Sequence, residues 1–506
     1  MLDQQSKLLT TQQQIATGKR ILNPSDDPAG ISNIIGLQQS LKSTEQFQEN
    51  IGIARSRLSL EENTLGGLTD SLNRIRELAV QGNNSSLENE DRFTVAIEMR
   101  QQLDEILNLS NTRDSNGEYI FSGFQGKTQP FSVSPAGDYS YNGDDGQRFL
   151  QIGLSRQIAE TDSGTEVFRA VRNGNGTFTT LDNQLNTGSG VIDPGSVTNP
   201  SLIDGDTYNL SYLKSTAATG VLNFGDNPAT ADNLGYTLQI NGSTVYTTNE
   251  ADPTPVNTLA GLAAEINDDA GTTGVRAYVD SGVLYLANTS PTATPITVTE
   301  SMSGASDGEL DGLTGYFGSN LTGTTTPSRT TTLSSEADFY LVEDSAGNVE
   351  TSGTYQEGGL IAFNGMQTNV RGTPNVGDAI SISPSRNQDI FNTIRNLSVM
   401  MENASASTPA DQARLNNAVN RFFVAIDNGM ANINQIRAQV GSRLNALDSQ
   451  ESLNTGAILG LKTTISGIED LDYAEAITRL TQQQTALEAA QQSYVRIQGL
   501  SLFNSL

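Results

Sequence analysis

Residues 47–79 read FQENIGIARSRLSLEENTLGGLTDSLNRIRELA, and this stretch decides the fold. Its apolar side chains recur at intervals of three, four or seven residues, at Phe47, Ile51, Ala54, Leu58, Leu65, Leu68, Leu72, Ile75 and Ala79. This spacing puts them on one face of a helix and is typical of a coiled-coil seam. A single helix over residues 42–81 would be about 60 Å long. We therefore expect it to pack along other long helices rather than inside a small domain.

A second helix is predicted to follow and to run back along the first. Gly82, Asn83 and Asn84 break the first helix, and Ser85 and Glu88 have the spacing of a capping box. The second helix is predicted to end near residue 112, with an apolar side formed by Phe93, Ile97, Leu103 and Leu107. The N-terminal end of the chain is thus predicted to form an antiparallel helical hairpin.

The C-terminal end repeats this design. A short helix carries Ile390, Ile394, Leu397 and Met401 on one side, and Thr408 then caps a longer helix that has Pro409 at its first position. The seam of the longer helix consists of Leu415, Val419, Phe422, Ile426, Met430, Ile433, Val440, Leu444 and Leu447. Residues 474–498 add Leu480, Leu487 and Tyr494 at intervals of seven residues.

The extreme ends, residues 1–20 and 474–506, have weaker seams. Gln occupies many of their seam positions, including residues 482–484 and 491–492. Because such helices are marginally stable alone, we expect these ends to be mobile in the monomer and to become ordered against neighbouring subunits.

The middle of the chain has a different composition. It holds 32 of the 48 Gly and 12 of the 15 Pro between Thr128 and Pro384, and short alternating runs such as residues 236–240 and 283–286 lie next to turn residues such as Asn241-Gly242. These are signals of β-hairpins, with one short helix predicted over residues 259–267.

We therefore predict an α+β multidomain chain. Residues 1–127 and 386–506 form one long coiled-coil-like helical bundle from both chain ends, residues 128–215 and 329–385 form a β-rich domain, and residues 216–328 form a second β-rich domain inserted into the first.

Composition excludes several classes of function. The net charge of −28 disfavours nucleic acid and anionic lipid as partners, and the absence of Cys and His removes zinc sites, thiol nucleophiles and imidazole acid-base catalysis. We expect no cofactor and no metal. A cysteine-free chain needs no reduction before export, and no apolar run resembles a cleaved signal peptide or a membrane span, so secretion is expected to use an uncleaved signal.

Paired carboxylates are the remaining candidates for catalysis. Asp26-Asp27, Asp144-Asp145 and Asp268-Asp269 would suit a carboxylate-based hydrolase if two acids converged in one cleft, but each pair lies in a turn-rich stretch where Asp accepts backbone hydrogen bonds. Residues 138–143 begin like a calcium loop, but the twelfth position is Phe149 where a bidentate Glu is required, so we interpret them as a hairpin. The chain is predicted not to be an enzyme.

Several motifs resemble those of the bacterial flagellin superfamily. Residues 17–30, TGKRILNPSDDPAG, resemble the conserved N-terminal turn of flagellins, while residues 76–81, RELAVQ, and 468–476, IEDLDYAEA, resemble paired helix ends. Residues 117–123, GEYIFSG, with QPF at 129–131 and LSLF at 500–503, are similar to the hook-filament junction branch of that superfamily, hook-associated protein 3. Residues 236–299 are similar to the flagellin hook insertion motif.

This resemblance implies a structural subunit of the bacterial flagellum, extracellular and exported without a cleaved signal. The implied partners are hook-associated protein 1, flagellin, further copies of the chain and an export chaperone. It implies an assembly and chaperone interface at Leu480, Leu487, Tyr494, Ile497, Leu500, Leu502 and Phe503. It also implies a turn motif at Arg20, Asn23, Pro24, Asp26, Asp27, Pro28 and Gly30, with Asp27 capping a helix and Pro28 at its first position. Members of the family carry a further short helical stretch before the residue that aligns with Met1, so the innermost layer is expected to be incomplete in this sequence.

Two other functions stay open at this stage. The chain could be filament flagellin itself, which would form long filaments. It could instead be a surface adhesin or glycan-binding module, in which the inserted β domain binds and the helices serve as a stalk.

Overall fold

A computed structural model describes most of the chain. The described residues are 2–218, 235–247, 256, 258–280, 282–289, 295–303, 315–317, 321, 328–333, 337–403 and 408–503.

Long helices come from both ends of the chain. The α-helices among the described residues are α1 Leu2–Thr17, α2 Pro28–Gly82, α3 Asn89–Ser110, α4 Leu259–Asp268, α5 Ala270–Thr273, α6 Ile390–Asn403, α7 Pro409–Glu469 and α8 Tyr473–Phe503. One π-helical turn, Thr165–Arg169, and one 3-10 turn, Pro200–Leu202, lie in the middle of the chain. None of the helices in this part of the chain is long and apolar enough to cross a membrane.

The helices α2 and α7 form the axis of the molecule. Arg55 of α2 pairs with Asp448 of α7, whereas Arg76, further along α2, pairs with Asp427. Because the residue number rises along α2 while that of its partner on α7 falls, the two helices are antiparallel. With 55 and 61 residues they are about 80 and 90 Å long. α3 and α6 pack on the C-terminal part of α2 and the N-terminal part of α7, and the four helices form a bundle.

The predicted seams are confirmed for α2, α6 and α7. The seam residues of α2 from Ile51 to Ala79 are at most 1% exposed, Phe47 is half-buried, and the seam residues of α6 and α7 line the same core. α2 begins at Pro28 rather than near residue 42, because the side chain of Asp27 caps it by accepting a hydrogen bond from the backbone N–H of Gly30.

Two predictions for α3 are wrong. No capping box forms at Ser85, because the helix begins after Glu88 and no side chain caps it. Phe93 and Ile97 are 46% and 42% exposed, since the face that packs against α2 and α6 is one position away. That face carries Arg92, Val95, Ala96, Met99, Leu103, Ile106 and Ser110.

The middle of the chain is a series of antiparallel strands. In chain order they are β1 Phe131–Val133, β2 Tyr139–Tyr141, β3 Phe149–Gln151, β4 Gln157–Ala159, β5 Val171–Arg172, β6 Phe178–Asp182, β7 Val191–Ile192, β8 Ser196–Val197, β9 Tyr208–Ala218, β10 Gly235–Ile240, β11 Ser243–Thr247, β12 Val275–Asp280, β13 Val283–Asn288, β14 Ile296–Ser303, β15 Ser328–Leu333, β16 Ala337–Glu343, β17 Val349–Thr354, β18 Leu360–Phe363, β19 Met366–Arg371, β20 Ala379–Pro384 and β21 Asn387–Gln388.

The predicted hairpins and the short helix α4 are confirmed. Asn241 and Gly242 both have positive φ, 53° and 83°, and join β10 to β11 in the tight turn that an Asn-Gly pair favours. β1 and β2 also pair as a hairpin, with Phe131 opposite Tyr141, in the segment that begins like a calcium loop.

One sheet joins the two parts of the β region. Its order is β12-β13-β9-β16-β17, with β20 pairing β9 and β6. The hairpin of β12 and β13 therefore continues the sheet of residues 208–218 and 337–354. The division of the chain at residues 215/216 and 328/329 stays a prediction.

Candidate assembly site

The first and last helices are joined at one level by what we call the end clasp, residues 18–21 and 469–471. Lys19 and Asp470 form an antiparallel bridge. The backbone N–H of Arg20 donates to the Glu469 carbonyl at 2.7 Å, and that of Leu471 donates to the Gly18 carbonyl at 2.9 Å. Gly18 has a φ of 70°, which places its backbone in the left-handed region. The chain thus leaves α1 and enters α8 at the same place.

Side chains reinforce the end clasp. Arg20 donates from Nη2 to the Ile468 carbonyl at 2.8 Å and lies 3.4 Å from the Asp27 carboxylate. Lys19 forms an ion pair with Glu469. Because Ile468 is in the last turn of α7, the guanidinium satisfies a carbonyl that has no partner within the helix.

The carboxylates of the turn motif have structural roles. Asp26 accepts from the backbone N–H groups of Leu22 and Asn23 at 3.1 and 2.8 Å, and Asp27 caps α2. Pro28 occupies the first position of α2, as the sequence predicts. Gly30 is buried, and a Cβ there would lie 2.6 Å from the Asp27 carboxylate, so the position has no room for a side chain. Pro24 is exposed at the tip of the turn.

Beyond the end clasp, α1 and α8 pack on each other and form what we call the terminal pair. Large apolar side chains stay exposed along it, at Leu2, Leu9, Tyr473, Ile477, Tyr494, Val495 and Ile497. In α1 the one buried side chain among the described residues is Thr11. The terminal pair therefore presents an apolar surface without a core of its own.

The predicted assembly residues lie on α8. Leu480 and Leu487 are half-buried, whereas Tyr494 and Ile497 are 50% and 65% exposed. The backbone of α8 continues to Phe503, but the side chains of Leu500, Leu502 and Phe503 lie outside the described residues.

A buried ionic cluster fixes the middle of the bundle. The Arg57 guanidinium donates from Nη1 to Glu160 at 2.6 Å and from Nη2 to Glu118 at 2.6 Å, with Asp114 at 2.8 Å from the same nitrogen. Arg148 also contacts Glu118, at 2.9 Å. The cluster ties α2 to the loop after α3 and to Glu160, which directly follows β4. Sequence reasoning missed these residues, although Glu118 lies in the family motif at 117–123 that could have pointed to them.

A second buried group adjoins this cluster. Glu61 has no exposed surface and accepts from the backbone N–H of Asp162 at 3.1 Å, while Arg443 of α7 binds both Asp162 oxygens at 2.8 and 2.9 Å. Burial, followed by the negative charge of Asp162, raises the pKa of Glu61 well above its usual value. The neutral carboxyl is thus the form that the bundle favours.

The Asp144 carboxylate also shapes a turn, whereas that of Asp269 makes no capping hydrogen bond to α5. Asp144 accepts from the backbone N–H groups of Phe124 and Gly146 at 2.9 and 2.7 Å, and Asp269 precedes α5. Within the ranges that the structure describes, acidic residues form no group with the arrangement of a metal site.

Comparison with known proteins agrees with these features. Residues 1–126 match the bacterial flagellin N-terminal helical region, and residues 423–506 match the bacterial flagellin C-terminal helical region. Flagellar hook-associated protein 3 of Escherichia coli strain K12 is 33% identical over 159 residues, which are 31% of this chain and 49% of that protein. The chain spans about half the length of the curated relatives it matches.

Solved structures extend the likeness to the β region. The crystal structure of flagellar hook-associated protein 3 from Legionella pneumophila is 25% identical, with a TM-score of 0.59, and covers 86% of this chain and 98% of that one. The flagellar junction protein FlgL from Legionella pneumophila is also 25% identical, with a TM-score of 0.55, and covers 82% and 99%. The chain thus carries flagellin-type helical regions at both ends of a fold that these junction proteins share.

Proposed function

Because the chain carries the N- and C-terminal helical regions of bacterial flagellin, we propose that it is a structural subunit of the flagellum, at the junction between hook and filament. Its role is to connect, and it transforms no substrate. It acts outside the cell, to which it is exported without a cleaved signal peptide.

The apolar surface of the terminal pair carries this proposal. Side chains such as Tyr494 and Ile497 remain exposed in the single chain, and further copies would cover them. Each buried Å² of apolar surface contributes about 25 cal/mol, so many weak seams become strong when a ring of copies closes. The end clasp supports the proposal because it delivers both helices of every copy to the same level.

The proposed partners follow from this surface. One side of the ring meets hook-associated protein 1, the other meets flagellin, and neighbouring copies pack along the terminal pair. Leu480, Leu487, Tyr494, Ile497, Leu500, Leu502 and Phe503 form the assembly interface in this proposal. Before export, a chaperone covers the same residues, since an amphipathic helix with an uncovered apolar face suits a groove-shaped partner.

The test combines a gene deletion with matched variants. Cells that lack the gene should form hooks without filaments, and the full chain should restore filaments. Leu487→Asp places a charge at a half-buried position of α8 and should abolish that restoration. Gln484→Asp adds the same charge one turn away at an exposed position and should restore filaments. Circular dichroism of both purified variants checks that the bundle and the β region fold.

Each outcome has a distinct meaning. Filaments that persist in the deletion strain would contradict the junction role. Normal filament growth with Leu487→Asp would show that α8 does not make the assembly contact. Long filaments formed by the purified chain alone would identify a filament flagellin instead.

A further inference from the structure

Helix α7 carries a second row of side chains beside its apolar seam. Its members are polar, recur at intervals of three, four, seven or eleven residues, and each contacts the segment between residues 152 and 192. These intervals place them on one side of the helix. We call this row the polar seam, and it consists of Arg414, Asn417, Arg421, Asn428, Asn432, Arg443 and Asn454.

The outer β body, which we define as residues 173–386, has a narrow covalent connection to the bundle. The chain enters it through β5 and leaves it through β21, and these strands pair over two residues each, Val171 with Gln388 and Arg172 with Asn387. A two-stranded ribbon is marginally stable even at greater length. The orientation of the body therefore depends on contacts elsewhere.

Asn417 binds the main chain of the body. Its Oδ1 accepts a hydrogen bond from the Ile192 N–H at 2.9 Å, and its Nδ2 donates to the Gly190 carbonyl at 3.1 Å. Asn417 and Ile192 are each 2% exposed. A tilt of the body that breaks these bonds without admitting water would leave a buried N–H and a buried carboxamide unpaired, which is unfavourable.

Two arginines of the polar seam bind the body near the N-terminus of α7. Arg414 donates from Nη1 to the carbonyls of Gln184 and Asn186 at 2.8 and 3.2 Å. Arg421 forms an ion pair with Asp182, whose side chain is 7% exposed. Both guanidinium groups are thus committed to the same part of the body.

The fourth anchor lies beside the covalent connection. Asn428 donates from Nδ2 to the carbonyls of Arg172 and Gly174 at 2.8 and 2.9 Å. From Arg414 to Asn428 the four anchors extend over about 21 Å of α7. Anchors that far apart oppose rotation of the body about any one of them.

Clefts separate the body from the bundle beside these anchors. One of about 330 Å³ is lined by residues that include Arg371 and Phe423, and another of about 420 Å³ by residues that include Leu181 and Met400. Relative motion is the usual expectation for two units whose interface is polar and incompletely packed. The clefts leave space for such motion, so the polar anchors are the contacts that oppose it.

We infer that the polar seam holds the outer β body in one orientation on the bundle, so that the body is a fixed outward spacer and not a swinging arm. This inference concerns the single chain and does not depend on the junction role proposed above.

Spin labels test the orientation directly, because the chain has no cysteine. Gln101→Cys on α3 and Glu350→Cys on β17 place one label on the bundle and one on the body, both at exposed positions. Asn73→Cys and Ser452→Cys, exposed on the two axial helices, form a reference pair within the bundle. Pulsed electron double resonance on the purified chain measures the distribution of distances between the labels. We expect the distribution from bundle to body to be as narrow as that of the reference pair.

Variants of α7 test the role of the polar seam. Asn417→Ala combined with Asn428→Ala removes two anchors and should broaden the distribution from bundle to body several-fold. Asn416→Ala combined with Asn420→Ala is the matched control, because neither residue forms a hydrogen bond with the body in the part of the chain that the structure describes. Circular dichroism and thermal unfolding check that each variant folds. If the first double variant does not fold, Asn428→Ala alone removes one half-buried anchor and should broaden the distribution to a smaller extent.

Three results would overturn the inference. A broad distribution in the chain with its polar seam intact would show that the body swings. An equally narrow distribution after loss of the anchors would show that other contacts orient the body. Equal broadening in the control variant would show that the effect is not specific to the polar seam.

Discussion

At the scale of single residues, Arg57 is the cation on which the middle of the bundle depends. Its side chain is 9% exposed, and Asp114 and Glu160 beside it are each 6% exposed. Carboxylates taken out of water need a partner, because their hydration is lost and little else compensates for it.

Arg57→Ala is therefore expected to destabilise the chain by about 3 to 5 kcal/mol, since the buried Asp114 loses its cation and Glu118 and Glu160 keep only Arg148. Arg74→Ala is the matched control on the same helix, because Arg74 and its partner Glu98 are 45% and 41% exposed. An exposed pair contributes at most about 1 kcal/mol. Urea unfolding followed by helical circular dichroism measures both changes. Equal costs for the two variants would contradict the role of burial.

Because of Glu61, we expect the free energy of unfolding to depend on pH with a sign opposite to that of a carboxylate paired with a cation. Its folded pKa is raised, so the proton stabilises the fold fully below the ordinary glutamate pKa of about 4.3. This stability is lost as pH rises through the folded pKa. Glu166 and Asp162 add to the rise, and Arg443 opposes it.

Glu61→Gln is neutral at every pH and should escape this loss. We expect the unfolding midpoint of the variant, relative to the wild type, to increase as pH rises above about 4.3. Glu62→Gln, which removes a partly exposed pair with Arg437, serves as a control and should cost less than about 1 kcal/mol. Calorimetry from pH 4 to 9 measures the unfolding midpoints of the variants and the wild type. A Gln variant that loses stability relative to wild type as pH rises would refute the buried neutral form.

The burial of these charged residues and their partners could not be predicted from the sequence. Apolar spacing predicted the seam from Ile51 to Ala79 because a helix places residues three and four apart on one face. Nothing local indicates that Arg57 and Glu61 point into that same core, since their partners Glu160 and Asp162 lie about 100 residues further along. In α3 the same reasoning chose Phe93 and Ile97, because a large apolar side chain does not reveal which of two neighbouring helix faces the bundle covers.

At the scale of elements, the end clasp depends on the backbone of Gly18. A residue with a Cβ costs about 1 to 2 kcal/mol in the left-handed region, and the added atom would lie 2.9 Å from the Tyr473 hydroxyl.

Gly18→Ala should therefore loosen the bridge between the two ends without unfolding the bundle. We expect faster hydrogen exchange at the Arg20 and Leu471 amides, which donate across the bridge. Gly52→Ala is the control, because Gly52 lies inside α2 with open space around it and should gain about 0.5 to 1 kcal/mol. Unchanged exchange at both amides in Gly18→Ala would show that the end clasp tolerates a side chain.

The hairpin of β12 and β13 joins two cores. Leu284 and Leu286 face one apolar cluster, while Tyr285 and Ala287 face another that contains Phe339. The sequence predicted β13 from the short alternating run at residues 283–286. It could not show which residues complete the two clusters, because one includes side chains of α4 and the other includes side chains of β9 and β16, which are strands of the same sheet.

At the scale of the whole molecule, most of the net negative charge lies in the β region. Residues 128–385 hold 29 Asp and Glu against 8 Lys and Arg, a net charge of −21, whereas the helical ends together carry a net charge of −7. Copies brought together by their helices would therefore carry strongly repelling β regions.

Self-association of the purified chain should accordingly depend on salt. The Debye length shrinks from about 30 Å at 0.01 M to about 8 Å at 0.15 M, so added salt screens the β regions from one another. We expect the average mass from sedimentation to rise with NaCl concentration. Urea at constant ionic strength is the control, and association that falls as NaCl rises would indicate attraction between charges instead.

The antiparallel pairing of α2 with α7 also determines when their contacts can form during synthesis. Arg55 meets Asp448, a residue 393 positions later, so a ribosome working at about 5 to 20 residues per second delivers that partner roughly 20 to 80 seconds afterwards. During this interval α2 can pack against α3, which follows it directly, but its seam with α7 cannot close. The export proposed above would benefit from this delay, because the pairing of α2 with α7 is the last contact of α2 in the bundle that can form.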